Sequence, residues 1–108
     1  MHNTVYVVES SFDAIRLNQC GIPAVATLGA NVSKIQIELL TKHFNNVIII
    51  PDNDDAGQGM VKRIVEKMGS RATAIGIPNR FKDIGDMQDE DINILVNKIS
   101  DPLLSLIG

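Results

Sequence analysis

Residues 47–60 read VIIIPDNDDAGQGM. Val47 to Ile50 form a short β-branched run, and runs of this kind are the fully buried strands of a parallel sheet. The chain turns acidic at once, with Asp52-Asn53-Asp54 behind Pro51. It then enters a helical pattern that is expected to bury Met60, Val61, Ile64, Val65 and Met68 and to show Lys62, Arg63, Glu66 and Lys67 to water. Upstream, VYVV at residues 5–8 repeats the arrangement and ends in Glu9. Carboxylates at the C-terminal ends of parallel strands lie where open α/β sheets bind ligands. Residues two apart on an extended segment point the same way, so Asp52 and Asp54 are expected to face one ligand together. An oxygen-only donor set suits a hard cation, and Mg²⁺ is the first expectation.

The rest of the chain alternates in the same sense. A helix is expected from about Phe12 to Gln19, stopped by Gly21 and Pro23. A weaker strand follows over Ala24–Leu28. Ser33 and Gln36 resemble a capping box that opens a helix running to about His43. Ala72–Ile77 reads as a fourth strand ended by Pro78, residues 79–88 as a polar loop, and Ile92, Leu95, Val96 and Ile99 as the stripe of a last helix. Strands alternating with helices require parallel pairing and right-handed crossovers, hence an α/β sheet with helices on both faces. Residues 1–100 read as one core. Residues 101–108, DPLLSLIG, are an apolar tail that either folds back on the sheet or marks where a longer protein was cut.

The bulk numbers narrow the function classes. At 108 residues the chain has room for one domain with a real core. Aromatic residues are 4% of it, too few for base stacking to be its main device. Cys20 is alone, which excludes an internal disulfide and a cysteine zinc site and fits a reducing cytoplasm. No run is long and apolar enough for a membrane span, and no signal-peptide pattern opens the chain. The net charge is −3 from ten bases and thirteen acids. Seven of those acids (Glu9, Asp13, Asp52, Asp54, Asp55, Asp83, Asp86) fall in three short stretches assigned to one site. The remainder has ten bases against six acids and is mildly basic.

Each candidate also has a plain structural reading. Glu9 could be a solvated strand-end acid. Asp13 lies three residues after Ser10 and could complete a variant capping box. Asp54 and Asp55 could cap the helix that they precede. Gly57 and Gly59 each cost up to ~1 kcal/mol in a helical turn, a cost usually compensated by close backbone approach to a strand or a phosphate. Asp52 has the weakest such alternative, because it follows a strand too apolar to be exposed.

Taken in order, these pieces resemble the TOPRIM family. VYVVESSFDA (residues 5–14) is similar to its first motif, with Glu9 and Asp13 in the acidic places and Ser10 where glycine is usual. VIIIPDNDDAGQGM is similar to its Asp-x-Asp motif, placing Asp52, Asp54, Ala56 and Gly57. AVATLGANVSKIQIELL (residues 24–40) resembles the intervening segment of DnaG-type primases, and FKDIGDM (residues 81–87) their Lys-Asp stretch, giving Lys82, Asp83 and Asp86. The resemblance implies a compact Rossmann-like fold with a four-stranded parallel sheet. It implies Mg²⁺ or Mn²⁺ held by Glu9, Asp52, Asp54, Asp83 and Asp86. Glu9, Asp13, Asp52 and Asp54 would be catalytic, and Lys82, Arg80 and Gly57 would contact phosphate. The implied activity is the nucleotidyl transfer of a DNA primase, making RNA primers, with little synthesis by this core alone. The implied partners are single-stranded DNA template, NTPs, other primase domains and a replicative helicase. Two alternatives stand beside it: a free-standing small TOPRIM nuclease, and a non-catalytic TOPRIM-like binding module.

Overall fold

The computed structural model of the protein describes residues 4–29 and 31–100, with the side chains of 98–100 left out. The chain runs β1 (Thr4–Val8), α1 (Ser11–Gln19), β2 (Ala24–Ala26), α2 (Lys34–His43), β3 (Asn46–Ile49), α3 (Asp55–Met68), β4 (Ala72–Ala74) and α4 (Asp89–Ser100). Short 3₁₀ turns lie at Gly69–Arg71 and Ile84–Asp86. The four strands form one parallel sheet in the order β2-β1-β3-β4, with Val5 opposite Val47 and Val7 opposite Ile49.

Period-two alternation along the central strands divides the core. Val5, Val7, Val47 and Ile49 face α2 and α3, where they meet Ile37, Leu40, Met60, Ile64 and Met68. Tyr6 and Val8 face the other way, toward Ala14 and Leu17 of α1 and Ile92 of α4, joined by Ile50, Ile77, Ile84 and Met87. Both faces of β1 and β3 are covered, so their sequences are continuous apolar runs with no polar alternation. Each fully buried Val or Ile contributes about 1.5–3 kcal/mol relative to exposure.

Local chemistry sets the helix starts. Ser33 and Gln36 form the full reciprocal capping box at α2. At α1, Ser10 is extended (φ −112°, ψ 153°) and accepts the Asp13 N–H at 3.2 Å. That backbone suits any residue, so serine in place of glycine introduces no strain there, and it supplies the N-cap.

Four expectations need correction. The edge strands are shorter than the pattern suggested. β2 ends at Ala26, because Leu28 and Gly29 turn to positive φ (64° and 125°). β4 ends at Ala74, although Ile75 still donates to the Ile49 carbonyl at 2.9 Å. On α3, Met60, Ile64 and Met68 are the fully buried side chains, whereas Val61 is only partly buried and Val65 is exposed. Val65 lies one helical step past Ile64 and rotates off a narrow stripe. The polar loop at 79–88 is docked, since Ile84 and Met87 are buried on the α1 face of the sheet. Ile99 and the apolar tail at 101–108 lie outside the described side chains and residues.

Candidate metal centre

The sheet order decides the site. The chain leaves β1 to one side for β2 and returns on the other side as β3, so the strand order reverses between β1 and β3. Such a switch point opens a crevice at the strands' C-terminal ends. Glu9 directly follows β1 and Asp52 follows β3 by three residues. Glu9 Oε2 accepts the Asp52 backbone N–H at 2.7 Å, and Glu9 is buried.

Asp13 reaches the same crevice from the first turn of α1. It is buried, and its Oδ1 accepts the Gly85 N–H at 3.0 Å. Only the Ser10 half of the expected variant capping box is therefore used, and the Asp13 carboxylate serves a distant loop. Its Oδ2 is a buried oxygen with no hydrogen-bond partner. A buried orphan acceptor of this kind marks a place where a proton or a cation belongs.

Electrostatics gathers the remaining acids. Burial pushes the Asp52 carboxyl up to about 7, assisted by the charges of Glu9, Asp13, Asp83 and Asp54 in that order. Asp13 is also raised, by burial first, then by Asp83 and Glu9. Carboxylates raised by burial and by neighbouring negative charge gain most from a shared divalent ion.

Several of these acids have structural duties as well. Asp54 Oδ1 caps α3 by accepting the Gly57 N–H at 2.7 Å. Asp83 Oδ1 caps the 3₁₀ turn by accepting the Asp86 N–H at 3.1 Å. Asp86 Oδ2 accepts the Lys82 N–H at 3.0 Å. The Asp54 N–H donates to the Asp52 carbonyl at 2.8 Å, a tight three-residue turn. The chain is therefore not extended between Asp52 and Asp54, and the period-two reason for their facing one ligand does not hold. Their proximity comes from the turn.

Among the described residues, no group of three or more His, Cys, Asp or Glu side chains converges closely enough to hold an ion as it stands. Backbone N–H groups engage one oxygen each of Glu9, Asp13, Asp54 and Asp83. A carboxylate has a second oxygen to offer. The all-oxygen donor set, the orphan Asp13 Oδ2 and the raised Asp52 fit the chemistry of a hard divalent cation.

The expected phosphate contacts are placed unevenly. Lys82 is exposed on the loop beside Asp83. Arg80 is turned to Asp91 at 3.6 Å and lies over the Phe81 ring at 4.5 Å. Gly57 has a steric role: a Cβ there would come within 2.6 Å of the Asp52 carbonyl oxygen and 3.0 Å of Pro51 Cβ. Of the two compensations considered for its cost, the structure uses close approach to the chain. At Gly59 a Cβ would meet nothing within 4 Å.

Asn53 was not a candidate in the sequence, where it reads as turn punctuation between two acids. Its N–H donates to the Lys82 carbonyl at 3.1 Å and its side-chain Nδ2 to the Phe81 carbonyl at 2.7 Å. Only the folded chain brings these residues together.

No helix among the described residues is long and apolar enough to cross a membrane. Residues 6–90 match the family model described as Toprim-like. The DNA primase of Legionella pneumophila is 42% identical over 98 residues, which are 84% of this chain and 17% of that protein. The chain thus spans under a fifth of the length of that relative. Among solved structures, a DnaG primase catalytic domain bound to single-stranded DNA superposes with a TM-score of 0.69 at 28% identity, over 89% of this chain and 33% of that one. A small TOPRIM domain protein from Bacillus stearothermophilus superposes with a TM-score of 0.70 over 93% of this chain and 87% of that one. Its 16% identity speaks for the fold alone.

Proposed function

Because the chain belongs to the Toprim-like family and is related to DNA primases, we propose that it is the Mg²⁺-dependent nucleotidyl-transfer core of a DNA primase, with Mn²⁺ able to replace Mg²⁺. The observation that carries this reading is the meeting of Glu9, Asp13 and Asp52 at the switch point of the sheet, with one buried oxygen unpaired.

Glu9, Asp13, Asp52, Asp54, Asp83 and Asp86 are the acids from which the ligands would come. Divalent metal there would supply Lewis acidity toward phosphate oxygens and a lowered pKa for a coordinated hydroxyl. Glu9 lies against the Asp52 amide and has a second oxygen with which to accept a proton from the attacking hydroxyl. Asp52, raised to about 7, keeps part of its proton near neutral pH, and Asp13 is raised in the same direction by burial, so cation binding there would release protons. Lys82, exposed at the rim, would meet a phosphate of an incoming NTP, and Arg80 would join it by leaving Asp91. Single-stranded DNA as template, further primase domains and a replicative helicase are the partners that this reading assigns.

The test is primer synthesis on single-stranded DNA with the other domains of a primase supplied. Synthesis should depend on Mg²⁺ or Mn²⁺, fall at least 10²-fold in Asp52→Asn, and be slight for the isolated chain. Full synthesis by Asp52→Asn would overturn the reading.

A further inference from the structure

The segment that carries Lys82, Asp83 and Asp86 lies beyond the last strand of the sheet and has no ladder to hold it. Asn53 holds its first half. Besides the backbone bond to the Lys82 carbonyl, its Nδ2 faces the carbonyl oxygens of Phe81 at 2.7 Å, Pro78 at 3.3 Å and Ile77 at 3.4 Å. An amide nitrogen has two hydrogens, so the Phe81 bond takes one and the two longer contacts share the other. Three carbonyl oxygens around one atom also fix its identity. Only an NH₂ group can sit there, and an aspartate oxygen would meet three acceptors with no proton between them. The second half of the loop is held by Asp13, through the Gly85 N–H. Asp83 lies between these two grips.

We propose that Asn53 is a positioning residue, a latch that fixes residues 77–82 against the turn carrying Asp52 and so delivers Asp83 and Lys82 to the acidic crevice. The latch stands on hydrogen-bond geometry, while its consequence for metal rests on the metal-site reading above. The amide between the two acids of the motif thus links two stretches about thirty residues apart in sequence.

The experiment uses the full ¹⁵N-labelled chain as wild type, Asn53→Asp and Asn53→Ala. Asn53 is exposed, so both variants should keep the fold. Amide hydrogen exchange at Phe81, Gly85 and Asp86 should quicken by about tenfold or more in both, with Val7 and Ile64 unchanged. Added Mn²⁺ should broaden amides near residues 9, 13, 52, 83 and 85 in the wild type, and spare 83 and 85 in the variants while still reaching 9 and 52. Unchanged exchange in the loop, or equal quickening at Val7 and Ile64, would overturn the latch. An unchanged Mn²⁺ pattern in Asn53→Asp would overturn its delivery role. Quickened loop exchange with no Mn²⁺ broadening in any protein would leave the latch standing and remove the metal reading.

Discussion

The Glu9 carboxylate accepts the backbone N–H of Asp52 at 2.7 Å, tying the residue just past β1 to the acid that follows β3. The bond gives one acid its orientation from the main chain of the other. It also holds the Glu9 charge beside the Asp52 carboxyl, which is raised to about 7. The acidic crevice is therefore built at a cost that a ligand can recover.

That cost has a sign in pH. Asp52 has a folded-state pKa above its unfolded value of 3.8, so between about pH 4 and pH 7 the native state keeps a proton that the unfolded chain has lost. Stability should fall as pH rises through this window, and the loss is complete above it. Asp52→Asn removes the effect. Without metal it should be more stable than wild type by roughly 1–2 kcal/mol near pH 8, a figure reduced for water screening at a partly exposed group. Near pH 4 the difference should vanish. Urea unfolding at both pH values checks it, and an equal gap at both would show that the charge is not the cause.

Metal should reverse the penalty. Mg²⁺ at millimolar concentration should raise the wild-type Tm more at about pH 8 than at about pH 5, because it competes with the proton on Asp52. Glu9→Gln can still accept the Asp52 N–H but carries no charge, so it should keep the fold and lose about tenfold or more in affinity. Calorimetric titration with Mg²⁺ measures this directly.

Asp54 caps α3, and the proposed function makes it a metal ligand as well; one pair of variants separates the two roles. Asp54→Asn retains a side-chain oxygen for the Gly57 N–H, so stability should change by less than about 0.5 kcal/mol while Mg²⁺ affinity drops. Asp54→Ala should in addition lose the N-cap, about 1 kcal/mol. Equal Mg²⁺ affinity in wild type and Asp54→Asn would leave Asp54 as a cap only.

The two glycines of α3 should respond oppositely. Gly57→Ala drives a methyl into the Asp52 carbonyl and should destabilise by about 1–3 kcal/mol, despite alanine's better helix propensity. Gly59→Ala meets no neighbour and should stabilise by up to ~1 kcal/mol. Thermal unfolding of the two variants compares them.

Much of this was legible along the chain. The apolar runs before Glu9 and Pro51 read as fully buried strands, because strands covered on both faces need no alternation. The Ser33–Gln36 box and the stripe of Met60, Ile64 and Met68 also read directly, since caps and helical faces are local. The edge strands read poorly. Ala24–Ala26 and Ala72–Ala74 are short, and the positive φ at Leu28, one residue before Gly29, is a backbone choice that a leucine does not signal. The docked loop was missed because Ile84 and Met87 are isolated apolar residues in a polar stretch, with no period to mark them.

The sequence by itself determined the α/β alternation, the two strands buried on both faces and the acids that follow them, because hydrophobic period and residue chemistry are properties of consecutive positions. Only the tertiary structure decided that β1 and β3 are neighbours, that Glu9 therefore meets the Asp52 amide, and that Asp13 and Asn53 grip a loop far along the chain. Those relations depend on the order in which strands pair and on hydrogen bonds between distant segments, and neither leaves a periodic trace in the residues that make them.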